Sequence, residues 1–214
     1  MRIYFVRHGQ SIANANNIRQ KDDTPLTDLG LRQAQFVAKR LAKIPVDLII
    51  ASPHTRARQT AETISKELKK DIIYSDLFVE RKKPLAVMGL SVGDPRGDEI
   101  MNEVYKNFYV PGWHLDESEN FEDSKKRAMD ATQFLKNQTA EHIVVVTHGL
   151  FLRNLLGVLI FGGNLTPQEN ESLHCFRIQN TGVSVCTYRT KEEAGSEYES
   201  GWHIETWNDQ AHLG

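Results

Sequence analysis

The chain has 214 residues, 40% of them hydrophobic and 25% charged, which excludes the disordered, collagen-like and coiled-coil classes. Lys plus Arg number 26 against 28 Asp plus Glu, and the resulting net charge of -2 at pH 7 lacks the basic excess of a general nucleic-acid binder or membrane-surface protein. A chain of this length buries roughly 70% of its unfolded surface, so it needs no disulfide or metal staples.

The first element is Arg2-Ile3-Tyr4-Phe5-Val6, a short β-rich run that ends at Arg7-His8-Gly9 and reads as a buried strand entering a polar loop. After Asn14, Asn16 and Asn17, the spacing of Leu31, Ala34, Phe36, Val37 and Leu41 predicts a helix, with Thr27 or Asp28 as its cap. Asp47–Ala51 is a second buried strand. It stops at Ser52-Pro53 and leads into a helix through Arg58, Ala61, Ile64 and Leu68. Ile72–Tyr74 is a third strand, and an irregular stretch follows to about residue 98.

Helices are expected over Glu99–Phe108 and Phe121–Asn137. His142–Thr147 is the most apolar strand; it ends at His148-Gly149 and opens a helix over Leu150–Leu159. Ser172–Ile178, Val183–Tyr188 and Trp202–Trp207 are the last strand candidates. Strands alternating with helices mean an α/β fold: three α/β/α layers around a mostly parallel central sheet. Residues 1–214 read as a single domain, with a cap-like excursion at about 80–120. Cys175 and Cys186 have neither metal spacing nor a disulfide framework, and both read as buried thiols of a reducing compartment. Only four apolar residues separate Arg2 from Arg7, too few for a secretory core, and Leu155–Phe161 is too short to span a bilayer. A cytoplasmic protein is expected, with no nucleic-acid or membrane partner. An exposed apolar helix face or edge strand would allow a homodimer.

In an open α/β sheet, ligands bind beyond the carboxyl ends of the strands. Three strands here end in polar groups: Arg7-His8-Gly9, Ser52-Pro53 followed by Arg56, and Thr147-His148-Gly149. If those strands are neighbours, two arginines and two histidines meet at one edge. Arginine supplies a planar fork of donors for phosphate or carboxylate, and neutral imidazole can act as nucleophile, acid or base. Together they describe an anion pocket that holds a nitrogen nucleophile. No His-Glu-x-x-His or similar metal-ligand spacing occurs, and Gly89–Gly97 matches neither a P-loop nor a dinucleotide fingerprint.

Arg7-His8-Gly9-Gln10-Ser11 with Asn14 resembles the Arg-His-Gly-Glu signature of the histidine phosphatase superfamily, branch 1, the phosphoglycerate mutase-like family. Further blocks are similar and stand in family order: Pro25–Ala34, Ala51–Ala61, Leu77–Arg81, Val146–Gly149 and Asn180–Val183. The resemblance covers nearly the whole chain and is to the bacterial-type phosphatase members. It implies His8 as the nucleophile that becomes phosphorylated, Arg7, Arg56 and His148 around the transferred phosphoryl group, and Asn14 and Gly149 as further phosphate contacts. Arg56 rather than Arg58 matches the family arginine, since it precedes Ala57.

The same resemblance implies Glu80 as proton donor, with Asp76 as its nearby competitor. That role calls for a Glu80 pKa raised toward neutrality. His148 is expected to be cationic when it faces phosphate. Gln10 stands where many members have Glu, beside the pocket, and with Arg81 and Lys82 it is a candidate substrate contact; Lys82 and Lys83 together could meet a second anionic group. No metal or other cofactor is implied. Asp116, Glu117, Glu119, Glu122 and Asp123 read as a solvated acidic run before a helix, and Trp113-His114 as cap packing.

Three functions remain open on these residues. One is a phosphatase acting on a small phosphorylated metabolite, another a phosphoglycerate-type mutase, and the last a non-catalytic domain that binds phosphorylated ligands. Hydrolysis is favoured, because Arg81–Gly89 departs from the mutase segment and water has access to phosphohistidine by default.

Overall fold

The computed structural model describes residues 1–195 and 200–214. In chain order its elements are β1 (Arg2–Arg7), α1 (Ile12–Ala15), α2 (Asp28–Leu41), β2 (Leu48–Ala51), α3 (Thr55–Leu68) and β3 (Ile72–Tyr74). They continue with α4 (Pro95–Asn107), α5 (Phe121–Lys136), β4 (His142–Thr147), α6 (Gly149–Phe161), α7 (Pro167–Ser172), β5 (Val183–Arg189), α8 (Lys191–Ala194) and β6 (Gly201–Asp209). The strands form one sheet in the order β3-β2-β4-β1-β5-β6. β1, β2, β3 and β4 pair in parallel, while β5 and β6 close one edge antiparallel. This is the expected α/β architecture with a mostly parallel sheet.

The strands are apolar throughout because both sheet faces are covered. Side chains alternate along β1: Ile3 and Phe5 join Ile50, Ile143 and Val145 under α5 and α6, whereas Tyr4 and Val6 join Ile49, Val144 and Val146 under α2 and α3. A satellite core of Val87, Met101 and Val104, with Trp113 packed against it, sits under the excursion between β3 and α5. Trp113 is therefore packing, as its sequence context suggested.

Local chemistry decides most boundaries. Thr27 caps α2 by accepting the Gly30 N–H at 3.0 Å, and Asn120 and Asp123 form a reciprocal capping box on α5. α4 begins four residues before the expected Glu99, because Asp94 accepts the Gly97 N–H and Pro95 is preset for the first helical position. The expected strand Ser172–Ile178 does not form. Thr166, Pro167 and Glu169 build a capping box that starts α7, and a 3-10 turn over Leu173–Cys175 follows it. That turn leaves Cys175 exposed, contrary to expectation, whereas Cys186 is buried in β5 and burial pushes its thiol up to about 12. The short α1 was not anticipated; Ser11 and Asn14 cap each other around it.

One close approach shapes the loop after β1. A Cβ on Gly9 would lie 2.5 Å from the Gly30 carbonyl oxygen, and one on Gly30 would lie 2.0 Å from that of Gln10. Only glycine lets the His8–Gln10 loop rest on the first turn of α2. Among the described residues, no helix is long and apolar enough to cross a membrane.

Candidate active site

Strand pairing brings the two histidines together. β1 and β4 are adjacent and parallel, with Arg7 level with Thr147, so His8 and His148 leave the sheet side by side. The His8 N–H donates to the Thr147 carbonyl at 3.0 Å, and the two imidazole centroids lie 5.1 Å apart. β2 pairs with the other side of β4, which places Ser52 Oγ 2.8 Å from His148 Nε2. α3 starts just beyond and carries Arg56 inward, where it is 2% exposed.

The hydrogen bonds fix the His8 tautomer. A carbonyl only accepts, so the 2.7 Å contact with Gly9 O puts the proton on Nδ1. Nε2 then carries the lone pair, and it accepts the Arg56 Nε–H at 3.2 Å. Burial, followed by the Arg56 and Arg7 guanidiniums, holds the His8 pKa well below the ordinary 6.5. His148 is likewise held well below 6.5, first by burial and then by Arg56. With no anion bound it is therefore neutral, and the cationic form expected for it requires a phosphate beside it.

Arg7 donates from Nη1 to the Ile178 carbonyl at 2.6 Å, and its guanidinium lies against the backbone of Gly149. Arg7 Nε and His148 Nδ1 are buried and have no hydrogen-bond partner among the described residues. Burial lowers the Arg56 pKa to about 10, partly offset by Glu80, so it remains a cation at neutral pH.

Glu80 approaches from the excursion and acts as a remote cap on α6. Its carboxylate accepts the N–H groups of Phe151 at 2.9 Å, Leu150 at 3.2 Å and Arg81 at 2.9 Å. Burial by itself would raise this carboxyl. The Arg81 N–H, the Lys83 ammonium, Arg56 and the Phe151 N–H outweigh it, and the pKa falls below 4.5. This corrects the expectation of a raised value. Asp76 is exposed in its own 3-10 turn and lies off the cavity wall.

A cavity of about 750 Å³ opens in front of these groups, walled by Arg19, Lys21, His54, Arg56, Glu80 and Lys83. His8, His148 and Arg7 sit behind that wall rather than on it. Arg81 lines it too, but is buried with its guanidinium 4.6 Å from the Phe108 ring. Lys82 is an exposed rim residue.

Two other expected contacts fall elsewhere. Gln10 is off the wall, its Oε1 accepting the Thr27 hydroxyl at 2.9 Å because the loop rests on the α2 N-terminus. Asn14 is also off the wall; its Oδ1 accepts from the Ser11 N–H and from Asn180 Nδ2, each at 3.3 Å. Asn180 in turn holds the His8 carbonyl at 2.9 Å.

Sequence reasoning missed Arg19, Lys21 and His54 as wall residues. His54 stands two residues before Arg56 in the same block, a sequence signal that could have been used, and in the structure it lies 3.3 Å from Asp22. The loop carrying Arg19 and Lys21 has no periodicity to read. Glu119 was placed on the surface, yet it is 8% exposed and ion-paired with Arg127. Among the described residues, no cluster of His, Cys, Asp or Glu could hold a metal ion.

A family model of the histidine phosphatase superfamily (branch 1) matches residues 3–210. "Putative phosphoserine phosphatase 2" of Hydrogenobacter thermophilus is 31% identical over 192 residues, covering 86% of this chain and 87% of that one. "Probable phosphoglycerate mutase GpmB" of Photorhabdus laumondii is 27% identical over 221 residues, covering 100% and 95%. The crystal structure of the α-ribazole phosphatase of Shigella flexneri aligns with a TM-score of 0.78 at 22% identity, covering 98% of this chain and 96% of that one, a likeness of fold. Two arginines and two histidines gathered at the strand ends, and a family match over almost the full length, lead to one conclusion: the chain belongs to branch 1 of the histidine phosphatase superfamily.

Proposed function

We propose that the protein hydrolyses small phosphomonoesters through a phosphohistidine on His8. The observation that carries this reading is the setting of His8: Nδ1 lies 2.7 Å from the Gly9 carbonyl, and Nε2 lies 3.2 Å from Arg56, which lines the cavity. Nε2 attacks phosphorus in line, the ester P–O bond breaks, and the leaving oxygen takes a proton from Glu80. Water then attacks phosphorus and gives a proton to the Glu80 carboxylate; a P–O bond forms as the P–N bond breaks, which releases inorganic phosphate and restores neutral His8. Arg7, Arg56 and His148 supply the charge that the equatorial oxygens need.

Glu80 is ionised in the free pocket, so it acquires its proton when a phosphate dianion enters: a nearby anion raises a carboxyl pKa. The named phosphoserine phosphatase relative supports hydrolysis, and the named mutase relative supports transfer. The exposed rim residues Lys82, Leu85 and Val92 favour hydrolysis, since a mutase must keep water from its phosphohistidine.

The test is phosphate release from p-nitrophenyl phosphate at mildly acidic pH with a chelator present, wild type beside His8→Ala. Release that vanishes in the variant is expected. Equal release from both overturns His8 as nucleophile, and turnover only with added bisphosphoglycerate turns the reading to a mutase.

A further inference from the structure

We infer that the buried Arg127–Glu119 ion pair positions Glu80 for proton transfer, holding it at the α6 N-terminus without touching substrate. The inference rests on the reading of Glu80 as proton donor. Arg127, on α5, grips Glu119 with both ends of its fork, Nε to Oε1 and Nη2 to Oε2, each at 2.6 Å. The remaining polar capacity of the pair goes to the backbone on either side of Glu80. Arg127 Nη1 donates to the carbonyls of Val79 at 2.8 Å and Leu77 at 3.2 Å, and Glu119 Oε2 accepts the Lys82 N–H at 3.0 Å.

The guanidinium also lies 4.3 Å from the Phe151 ring centroid, and the Phe151 N–H is one of the donors to Glu80. One ion pair thus reaches the chain before Glu80, the chain after it, and the helix end that receives it.

That grip matters because residues 79–84 lie outside every helix and strand. Beyond the carboxylate's own bonds, the Val79 N–H donates to the Asp76 carbonyl at 3.3 Å, the Glu119 N–H to the Lys82 carbonyl at 3.2 Å and the Thr147 hydroxyl to the Phe78 carbonyl at 2.7 Å; the ion pair adds the side-chain clamp that spans both flanks of Glu80. Neither Arg127 nor Glu119 lines the cavity. Both are positioning residues, and their loss would move the carboxyl out of line with a leaving oxygen while leaving the arginines and His8 in place.

Leaving-group dependence separates this role from a merely structural one. The measurement is the single-turnover release of phenols from aryl phosphates, from p-nitrophenyl, whose phenolate leaves unaided, to phenyl, which needs a proton. Enzyme in excess keeps phosphohistidine breakdown out of the rate. Glu80→Gln is expected to slow phenyl phosphate by about 100-fold while changing p-nitrophenyl phosphate several-fold or less. R127M and E119Q are expected to reproduce that split at about tenfold or more, and R127K to recover part of it.

Equal loss on both substrates in R127M and E119Q, with the Glu80→Gln split intact, overturns the inference and leaves the pair a structural one. No split in Glu80→Gln overturns the proton-donor reading and, with it, the role given to the pair. Should R127M fail to fold, E119Q decides, because it keeps an acceptor for the Lys82 N–H.

Discussion

Arg56 covers the Nε2 lone pair of His8 with its own Nε–H at 3.2 Å, while the Gly9 carbonyl holds the opposite nitrogen at 2.7 Å. His8, the nucleophile of the proposed reaction, is thus masked by the same arginine that lines the cavity. In the proposed reaction an arriving phosphate, an anion where the imidazole is neutral, would draw the guanidinium away and expose Nε2. Arg56 then has two tasks, unmasking and charge neutralisation, and both need its planar fork.

Arg56→Lys keeps the charge and loses the fork. Turnover of an aryl phosphate is expected to fall by about 100- to 1000-fold, measured as steady-state phosphate release. Activity within a few-fold of wild type would mean that the fork geometry has no part in the reaction.

Acid should destabilise the fold through its buried histidines. His8 and His148 both have folded pKa values well below 6.5. As pH drops below about 6.5, the unfolded chain binds protons that the folded chain refuses, so stability present above that pH is lost progressively. The melting temperature is expected to decline between pH 7.5 and 5.5, and the decline to be shallower in His8→Asn, which removes one of the contributing groups. An unchanged slope in that variant would exclude His8 as a contributor.

Glu80 should take up a proton when a tetrahedral dianion binds. Sulfate is the suitable probe because it does not itself titrate near neutrality. Calorimetry of sulfate binding at pH 5.5, in buffers of different ionisation enthalpy, is expected to show net proton uptake that is smaller in Glu80→Gln. Identical uptake by the two proteins would show that the carboxylate stays ionised beside the anion, and proton donation from it would have to be abandoned.

The Gly9–Gly30 contact predicts a site where a single methyl group is costly. In Gly30→Ala the new Cβ meets the Gln10 carbonyl oxygen at 2.0 Å, where only backbone movement relieves it. A loss of about 1–3 kcal/mol in denaturant unfolding is expected, along with lowered turnover, because Gln10 follows the His8 loop. Wild-type stability and activity in this variant would contradict the rigidity of that contact.

The fold class, the strands β1 to β4 and the residues that gather at their carboxyl ends were legible in the sequence. Those features are local: buried parallel strands are unbroken apolar runs, and Arg7-His8-Gly9 and His148-Gly149 follow two of them directly. The later strand Val183–Tyr188 was legible for the same reason. The strand expected at Ser172–Ile178 failed because a capping box upstream took its first residue into a helix, an effect no hydrophobic run displays.

Charge states and supports came from packing between distant segments. Glu80 looked suited to a raised pKa, yet the Arg81 N–H, the Lys83 ammonium, the Arg56 guanidinium and the Phe151 N–H, the last from a helix end 71 residues away in sequence, outweigh burial and lower it. Glu119 sits in an acidic run that resembles a solvated surface, and Arg127 draws it inward to hold the segment around Glu80. Gln10 and Asn14 are close to His8 in sequence but turn to other partners, off the cavity wall. A residue's pKa and direction depend on groups brought near it by packing, and those groups are scattered through the chain.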